Sequence, residues 1–269
     1  MSKIKKFRDW FASFESRDLS PIVCSSSDFN LDFYSENFDK CIVVNESGNI
    51  FNRKVEREIY GIDNVSRIYD HLVPTTNNAT GNVSWKTLDA IKDAMNSDNP
   101  HMIINAIDIP IPESIILFPK LLDEFAAENL IADTSKTVGN EFVDSYNRRC
   151  GLVYSMKGSL TSSHIDFGCA NYFHIITGEK LWAVSLFTEE NMALFSNCDI
   201  NNLSFHPSER LPERTYLFRL KPGDTLFMPA GAIHTVYTEK TTEGFGSTLL
   251  PVIGGSIILR VMQTDGFSS

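Results

Sequence analysis

The chain has 269 residues, 42% of them hydrophobic, which is enough for one sizeable core. A formal net charge of −10 disfavours DNA or RNA as a direct partner. It is compatible with a basic peptide as partner, and it is also explained by solubility alone. Apolar runs fall far short of the roughly 20 residues of a membrane span, and the charged N-terminus lacks a signal peptide's apolar core, so we expect a soluble nuclear or cytoplasmic protein with no membrane partner.

The first half of the chain mixes predicted helices and short strands. Apolar residues at helical spacing predict a helix over residues 3–17. The polar, Gly-containing segment 74–82 is typical of a loop. Further helices are predicted over 87–95 and, after Pro119, within 114–130. The predicted strands are 41–44, 49–51 and the run HMIINAIDIPIP, which ends at prolines.

From about Gly151 the sequence changes to short β-branched and aromatic runs separated by Gly, Pro, Asn and Asp. Such regular spacing is typical of a β-sandwich or barrel. We predict a mostly β fold with flanking helices, in which a mixed α/β region, residues 1–100, packs on a β-domain over residues 101–265. The runs are LVYSM, HIDF, YFHII, KLWAVSLF, TYLFRL, TLFMP, HTVYT and SIILRVMQ.

The segment TSSHIDFG contains two side chains that are able to bind a metal ion. On a strand, residues i and i+2 point to the same face, so His164 and Asp166 would project together. The third ligand that we predict is His234, which follows the turn in LKPGDTLFMPAGAIHTVY. Two histidines and one carboxylate on one face of an octahedron are the ligands of non-haem Fe(II) oxygenases, with positions left for a cosubstrate and O₂.

Each part of this set has an ordinary alternative. An HxD tripeptide arises often by chance, and a histidine near a turn is usually a surface residue. We prefer the set because HxD, a long run of strands and then GDxLFxPxGxxH occur together. Of the remaining histidines, His174 in YFHII competes best, and we assign it to packing beside the pocket. The others lie beside prolines or turns, at His71, His101 and His206.

Lys180 is a basic residue in the otherwise apolar strand TGEKLWAVSLF. A buried lysine is costly unless it is paired, so a carboxylate partner is expected there if the strand is internal. In an oxygenase of this type the partner would be the distal carboxylate of 2-oxoglutarate, whose 2-oxo acid end chelates the iron. A lysine at the edge of a hairpin explains the same sequence equally well.

From Asn105 to Met262 the chain resembles the JmjC family of Fe(II)/2-oxoglutarate oxygenases, and within it the histone lysine demethylases of the F-box and PHD type. The resembling motifs are YSMKGSLTSSHIDFG, HIITGEK and LKPGDTLFMPAGAIHTVYT, in this order. The resemblance implies a cupin-like double-stranded β-helix, or jelly-roll, of roughly eight strands with flanking helices.

The resemblance also implies a role for individual residues. Thr161 and Lys180 would bind the distal carboxylate of the cosubstrate 2-oxoglutarate, and Asn105 would face the cosubstrate. The residues that it places on Fe(II), as the catalytic centre, are His164, Asp166 and His234.

Three departures from the resembling subfamily alter the pocket. Phe173 stands where a tyrosine helps to bind 2-oxoglutarate, so one hydroxyl donor is missing. Cys169 and Ala170 follow the HxDFG motif in place of Gly and Thr, and Thr248 replaces an asparagine late in the barrel. We expect the iron site to survive and the cosubstrate and substrate contacts to differ.

The implied activity is that of an Fe(II)/2-oxoglutarate-dependent dioxygenase. On N-methyl-lysine in a histone tail or another basic peptide, hydroxylation of the methyl group and release of formaldehyde give demethylation, a chromatin-regulating activity. Two alternatives stay open. A JmjC hydroxylase of a protein side chain or a small molecule is favoured by the altered pocket, and a non-catalytic JmjC binding module is disfavoured by the intact HxD…H set.

Overall fold

The computed structural model describes residue 9 and residues 20–97, 99, 101–111, 119–123, 150–166, 170–196 and 215–249. Several predictions concern residues outside these ranges: the helix over 3–17 apart from residue 9, most of the helix within 114–130, and the strand SIILRVMQ, together with Cys169 and His206. None of the described helices combines the length and the apolar character that crossing a membrane requires.

The described chain is mostly β, which confirms the predicted fold class. Eleven strands hydrogen-bond into one continuous sheet. They are β1 (Ile22–Ser25), β2 (Ile42–Asn45), β3 (Val73–Asn77), β4 (Asn82–Lys86), β5 (Ile104–Pro110), β6 (Gly151–Ser155), β7 (Leu160–His164), β8 (Ala170–Ser185), β9 (Thr215–Leu220), β10 (Thr225–Met228) and β11 (Ile233–Leu249). The helices are α1 (Leu31–Asn37), α2 (Arg57–Tyr60), α3 (Ile62–Ile68), α4 (Leu88–Met95), α5 (Lys120–Asp123) and α6 (Glu189–Ser196).

The two long strands β8 and β11 fold this sheet into two layers. They pair with each other along nearly their whole lengths, with register shifts between Thr238 and Gly244. On its other side β8 pairs first with β10 and then with β9. On its other side β11 pairs first with β7 and then with β6. Bulges let a strand pass from one layer to the next, so the smaller layer β9-β8-β11-β7 faces the larger one in a jelly-roll.

The apolar interior lies between the two layers. Phe173 and Leu226 from the larger layer pack with Trp182, Phe218 and Val236 from the smaller one. The outer face of the larger layer buries a second cluster against helices α2–α4, and burial of these apolar side chains stabilises both faces. That cluster includes Tyr60, Val65, Leu88, Ile104, Tyr154 and Phe245.

Two local predictions in the first half are wrong. The segment 74–82 is a hairpin, not a loop, because Val73 and Thr75 are buried and hold β3 between β4 and β5. The segment 49–51 is not a strand. A 3₁₀ turn forms at Ser47–Asn49, since the Ser47 side chain is buried and donates to the carbonyl of Gly223.

The division of the chain at residue 100 stays a prediction. Strands from both sides of residue 100 share the larger layer, through the β2–β10 and β3–β5 pairs. The helix predicted over 87–95 is present as α4, with Thr87 as its N-cap accepting from the backbone N–H of Ala90.

Candidate metal centre

The three predicted metal ligands come together where β7 ends and β11 begins. His164 is the last residue of β7, and its cross-strand partner on β11 is His234. Asp166 lies two residues past the end of β7. The prediction that one strand carries both His164 and Asp166 is therefore wrong in detail, because pairing with β11 stops at His164. The Asp166 carboxylate nevertheless lies beside both imidazoles.

The distances suit a single metal ion. Nε2 of His164 lies 3.4 Å from Oδ1 of Asp166, and Nε2 of His234 lies 3.5 Å from Oδ2 of the same carboxylate. All three ligand atoms lie within 4.8 Å of one another. Bonds of about 2 Å from a central ion would reach all three. Two imidazoles and one carboxylate are the donor set preferred by Fe(II) in non-haem oxygenases, so the residues fit that ion.

Hydrogen bonds orient each ligand towards the shared centre. Nδ1 of His164 lies 2.7 Å from the carbonyl oxygen of Ser162, and Nδ1 of His234 lies 3.1 Å from that of Ala232. A carbonyl oxygen only accepts, so each Nδ1 carries the hydrogen and each Nε2 offers a lone pair. The buried Asn171 donates from Nδ2 to Oδ2 of Asp166 at 2.9 Å and fixes the carboxylate.

Electrostatics keep the carboxylate charged and one imidazole neutral. Burial raises the pKa of Asp166, but its bond to His164 and the charges of His234 and His164 bring that pKa down to about 2. Burial, followed by the charge of His164, lowers the pKa of His234 to about 4. Burial also lowers the pKa of His164, yet Asp166 outweighs it and, with the Ser162 carbonyl and Asp108, raises that pKa overall. An anionic carboxylate and a neutral imidazole are the forms that bind metal.

A chain of polar side chains runs through the same interior. Lys180, predicted from sequence to meet 2-oxoglutarate, donates from Nζ to Oγ of Ser155 at 2.9 Å and to Oγ1 of Thr238 at 3.3 Å. Ser155 donates to Oδ1 of Asn105 at 2.6 Å, and the Asn105 amide donates to Oγ1 of Thr161 at 3.2 Å. The structure thus brings the three predicted cosubstrate residues into one network.

Lys180 is a buried cation that has no carboxylate partner among the described residues. Its side chain is 3% exposed, and its polar contacts are the hydroxyls of Ser155 and Thr238. Burial lowers its pKa from 10.5 to about 7. The hairpin-edge alternative fails, since the lysine points into the jelly-roll. A buried ammonium without a counter-ion marks a place for an anion.

Trp182 supplies a second unsatisfied donor in this interior. Its indole stacks on the His234 ring, with centroids 5.7 Å apart, and its buried Nε1 has no hydrogen-bond partner within the described ranges. Trp182 pairs with Val236, midway between the His234–Val184 and Lys180–Thr238 pairs. The indole N–H therefore lies between the candidate metal ligands and Lys180, where a bound polar ligand would accept its hydrogen bond.

Two other predicted residues fall on opposite faces of β8. The Phe173 ring lies inside, 5.7 Å from Nζ of Lys180, and carries no donor. His174 points the other way, where its Nδ1 lies 2.8 Å from Oγ1 of Thr225 and its ring packs on Phe51 and Phe245. Burial lowers the pKa of His174 to about 3. His174 is thus a neutral core residue outside the metal cluster.

Sequence reasoning missed Ser155, Thr238, Asn171 and Trp182. Ser155 and Thr238 had one available signal, because strand periodicity puts them on the same face as the apolar residues Val153 and Val236. Nothing in the sequence shows that Asn171 reaches Asp166. Thr248, the departure late in β11, lies opposite Asn171 and is exposed.

No family model matches the chain. Among curated proteins, it is 27% identical over 180 residues to histone lysine demethylase PHF8 of Danio rerio, covering 63% of this chain and 17% of that protein. It is 32% identical over 116 residues to lysine-specific demethylase 2B of Mus musculus, covering 42% of this chain and 9% of that protein.

A third relative is JmjC domain-containing histone demethylation protein 1 of Yarrowia lipolytica, 27% identical over 165 residues, which are 58% of this chain and 30% of that protein. The matched part of the chain thus spans less than a third of the length of these relatives. All three are named as demethylases or demethylation proteins, the group that the motifs of this chain resemble. By sequence, therefore, the chain is a homologue of the JmjC histone lysine demethylases.

Proposed function

We propose that this chain is an Fe(II)/2-oxoglutarate-dependent dioxygenase that demethylates N-methyl-lysine in a histone tail or another basic peptide. The observation that carries the proposal is one interior that holds both the His164, Asp166 and His234 cluster and the unpaired buried cation of Lys180. The relatives, which are named as histone or lysine demethylases, suggest the reaction class and the substrate class.

Each group in the interior has a part in this reaction. His164, Asp166 and His234 would hold Fe(II) through three positions and leave the rest free. Lys180 would pair with the distal carboxylate of 2-oxoglutarate, and Thr161 and Asn105 would add a hydroxyl and an amide. Along the strands, the Lys180–Thr238 and Val184–His234 pairs lie four residues apart, or about 13 Å. The cosubstrate would lie within that separation, beside Trp182.

Fe(II) held by His164, Asp166 and His234 would, with 2-oxoglutarate and O₂, supply the oxidation: one oxygen atom would go to succinate, with loss of CO₂, and the other would hydroxylate a substrate C–H bond. On an N-methyl group the hydroxymethyl product releases formaldehyde and leaves the amine. The protein itself positions the reacting groups and keeps water away from them. Phe173, Trp182 and Val236 line an apolar interior that excludes water from the reacting groups.

The test is incubation of the protein with Fe(II), 2-oxoglutarate and a panel of methylated histone peptides, read by mass spectrometry. Demethylation removes about 14 mass units per methyl group, whereas stable hydroxylation adds about 16. We expect the loss. A peptide mass increased by about 16 units would instead support the hydroxylase alternative, which is favoured by the absence of a hydroxyl donor at Phe173.

Substitution of the candidate metal ligands separates enzymatic turnover from turnover that does not depend on the site. We expect His164→Ala and Asp166→Ala to abolish 2-oxoglutarate consumption and to unfold near the wild-type temperature, since each removes a partly exposed side chain and little core volume. His71→Ala is the matched control, an exposed histidine outside the cluster. Near-full consumption of 2-oxoglutarate by either variant would contradict the assignment of the metal ligands.

Nuclear or cytoplasmic location stays a prediction.

A further inference from the structure

The edge strand β4 carries two large apolar side chains in solvent. Val83 is 69% exposed and Trp85 is 65% exposed, the two highest values among the exposed large hydrophobic residues of the described chain. β4 is the end of the sheet and pairs only with β3 among the described strands. Exposed apolar edge strands are a liability that proteins usually cover or charge, so this pair calls for a partner.

The exposed side chains face the same way as the candidate site. Cross-strand partners point to the same face of a sheet, and Thr76 pairs with both Val83 and Asn105. Asn105 in turn pairs with Ser155, the hydroxyl that contacts Lys180. Val83 therefore stands two strands from Asn105, or about 10 Å across the sheet.

The hairpin is fixed to the strand that carries a metal ligand. At its tip, Asn78 donates from Nδ2 to the carbonyl oxygen of Leu160 at 2.8 Å, and its backbone N–H donates to the carbonyl oxygen of Ile103 at 2.8 Å. Leu160 is the first residue of β7, and His164 is the last. The turn of the hairpin is thus hydrogen-bonded to the strand that ends at His164.

A bulge in β5 adds an acidic group between the hairpin and the centre. The register of β5 on β6 shifts between Ala106 and Ile109, which leaves Ile107 and Asp108 exposed. Asp108 adopts a positive φ of 55°, rare for residues other than glycine. Its charge contributes to the raised pKa of His164, behind the contributions of burial, Asp166 and the Ser162 carbonyl. Asp108 is thus an exposed acidic residue on β5, the strand that carries Asn105 and lies between the hairpin and β6.

We propose that Val83, Trp85, Ile107 and Asp108, here called the hairpin face, bind the peptide that flanks the target residue. The occupant is a basic segment of the substrate: an apolar side chain rests on Trp85 and Val83, and a lysine or arginine pairs with Asp108. Continuity with Asn105 and the net charge of −10 favour a basic peptide over a second copy of this acidic chain. The choice of occupant rests on the proposed function.

The test measures peptide binding without turnover. The probe is a fluorescent basic peptide of about 15 residues with one dimethyl-lysine, titrated against protein loaded with Mn(II) and 2-oxoglutarate and followed by anisotropy. We expect Val83→Ser/Trp85→Ser to weaken binding about tenfold or more, because a buried tryptophan is a typical binding hot spot. The single Trp85→Ser variant keeps the test available if the double variant is unstable. The matched control is Val23→Ser, a 56% exposed valine on β1 at the opposite end of the sheet.

Asp108→Asn tests the charge with little backbone strain, since asparagine tolerates positive φ. We expect weaker binding with a shallower dependence on salt, whereas the exposed Asp39→Asn leaves both unchanged. Equal affinities in wild type, Val83→Ser/Trp85→Ser and Val23→Ser would overturn the proposal, as would a wild type that binds no basic peptide. If the wild type binds through the hairpin face but removes no methyl group when loaded with Fe(II), the proposed function fails and the surface stands.

Discussion

Affinity for 2-oxoglutarate should fall as the pH rises above about 7, because the proposed function makes Lys180 the counter-ion of the bound cosubstrate. Without ligand its pKa is lowered by burial to about 7, so the amine is half neutral near that pH. A bound carboxylate favours the charged form and raises the pKa again. Above pH 7, binding must therefore take up one proton. The dissociation constant should rise about tenfold for each pH unit until the pKa of the complex is reached.

The magnitude follows from the lowered pKa. A drop from 10.5 to about 7 corresponds to about 5 kcal/mol against the charged lysine in the folded protein. That cost is fully present below pH 7, where both folded and unfolded chains carry the proton. It disappears as the pH rises from 7 to 10.5, where only the unfolded chain is protonated, so the stability of the ligand-free protein rises with pH in that window.

The assay is calorimetric titration of 2-oxoglutarate into Mn(II)-loaded protein between pH 6 and 9. Saturating metal keeps His164, whose pKa is raised mainly by Asp166 against the effect of burial, in its neutral ligand form. Buffers of different ionisation enthalpy count the protons taken up. Lys180→Met is the companion variant: we expect weaker binding without the pH dependence. We also expect a higher unfolding temperature at pH 6, since an apolar side chain of similar length removes the buried charge.

A flat affinity from pH 6.5 to 8.5, with no proton uptake, would refute the role of Lys180. So would a Lys180→Met variant with wild-type affinity for 2-oxoglutarate. Either result would leave Lys180 as a structural residue held by Ser155 and Thr238. A lower unfolding temperature of Lys180→Met at pH 6 would separately contradict the inferred cost of its burial.

Three further predictions follow from single contacts. Phe173→Tyr restores a donor beside Lys180 and should tighten 2-oxoglutarate binding roughly tenfold; equal or weaker binding in titrations would show that the carboxylate is already satisfied. Asn171→Ala frees the Asp166 carboxylate and should weaken Mn(II) binding about 10- to 100-fold, measured by metal titration; an unchanged metal affinity would rule out an orienting role. Glu243→Ala should lower the free energy of unfolding by about 1–3 kcal/mol, because this buried carboxylate accepts hydrogen bonds from Arg57 and from the backbone N–H of Ile62. An unchanged free energy of unfolding in denaturant titrations would contradict this prediction.

The elements that the sequence predicted well are those whose pattern is local. The β-branched runs after Gly151 gave most of the strands, and Thr87 before an amphipathic stretch gave helix α4. The hairpin β3–β4 was missed because its turn residues dominate the segment 74–82. Its strands depend on long-range burial of Val73 and Thr75, which propensity does not report.

The three candidate metal ligands could be proposed from the sequence for a different reason. A metal centre needs particular donor atoms, so His164, Asp166 and His234 have few substitutes and stand out in sequence order. The residue that orients the Asp166 carboxylate needs only one hydrogen-bond donor, which many side chains can supply. Asn171 is one of several amides and hydroxyls that could have reached Asp166, and only the fold selects it.

Lys180 and the hairpin face differ in how much of each could be inferred from the sequence. A lysine in an apolar strand is locally anomalous, so its sequence already suggested a buried anion site, and the register of β8 on β11 decided between the interior and a hairpin edge. Trp85 is not anomalous in sequence, because an aromatic residue in a strand is usually core. It becomes informative only when the structure leaves it 65% exposed on the face that Asn105 shares. A binding surface is thus recognised by a conflict between residue type and burial, and that conflict arises only in three dimensions.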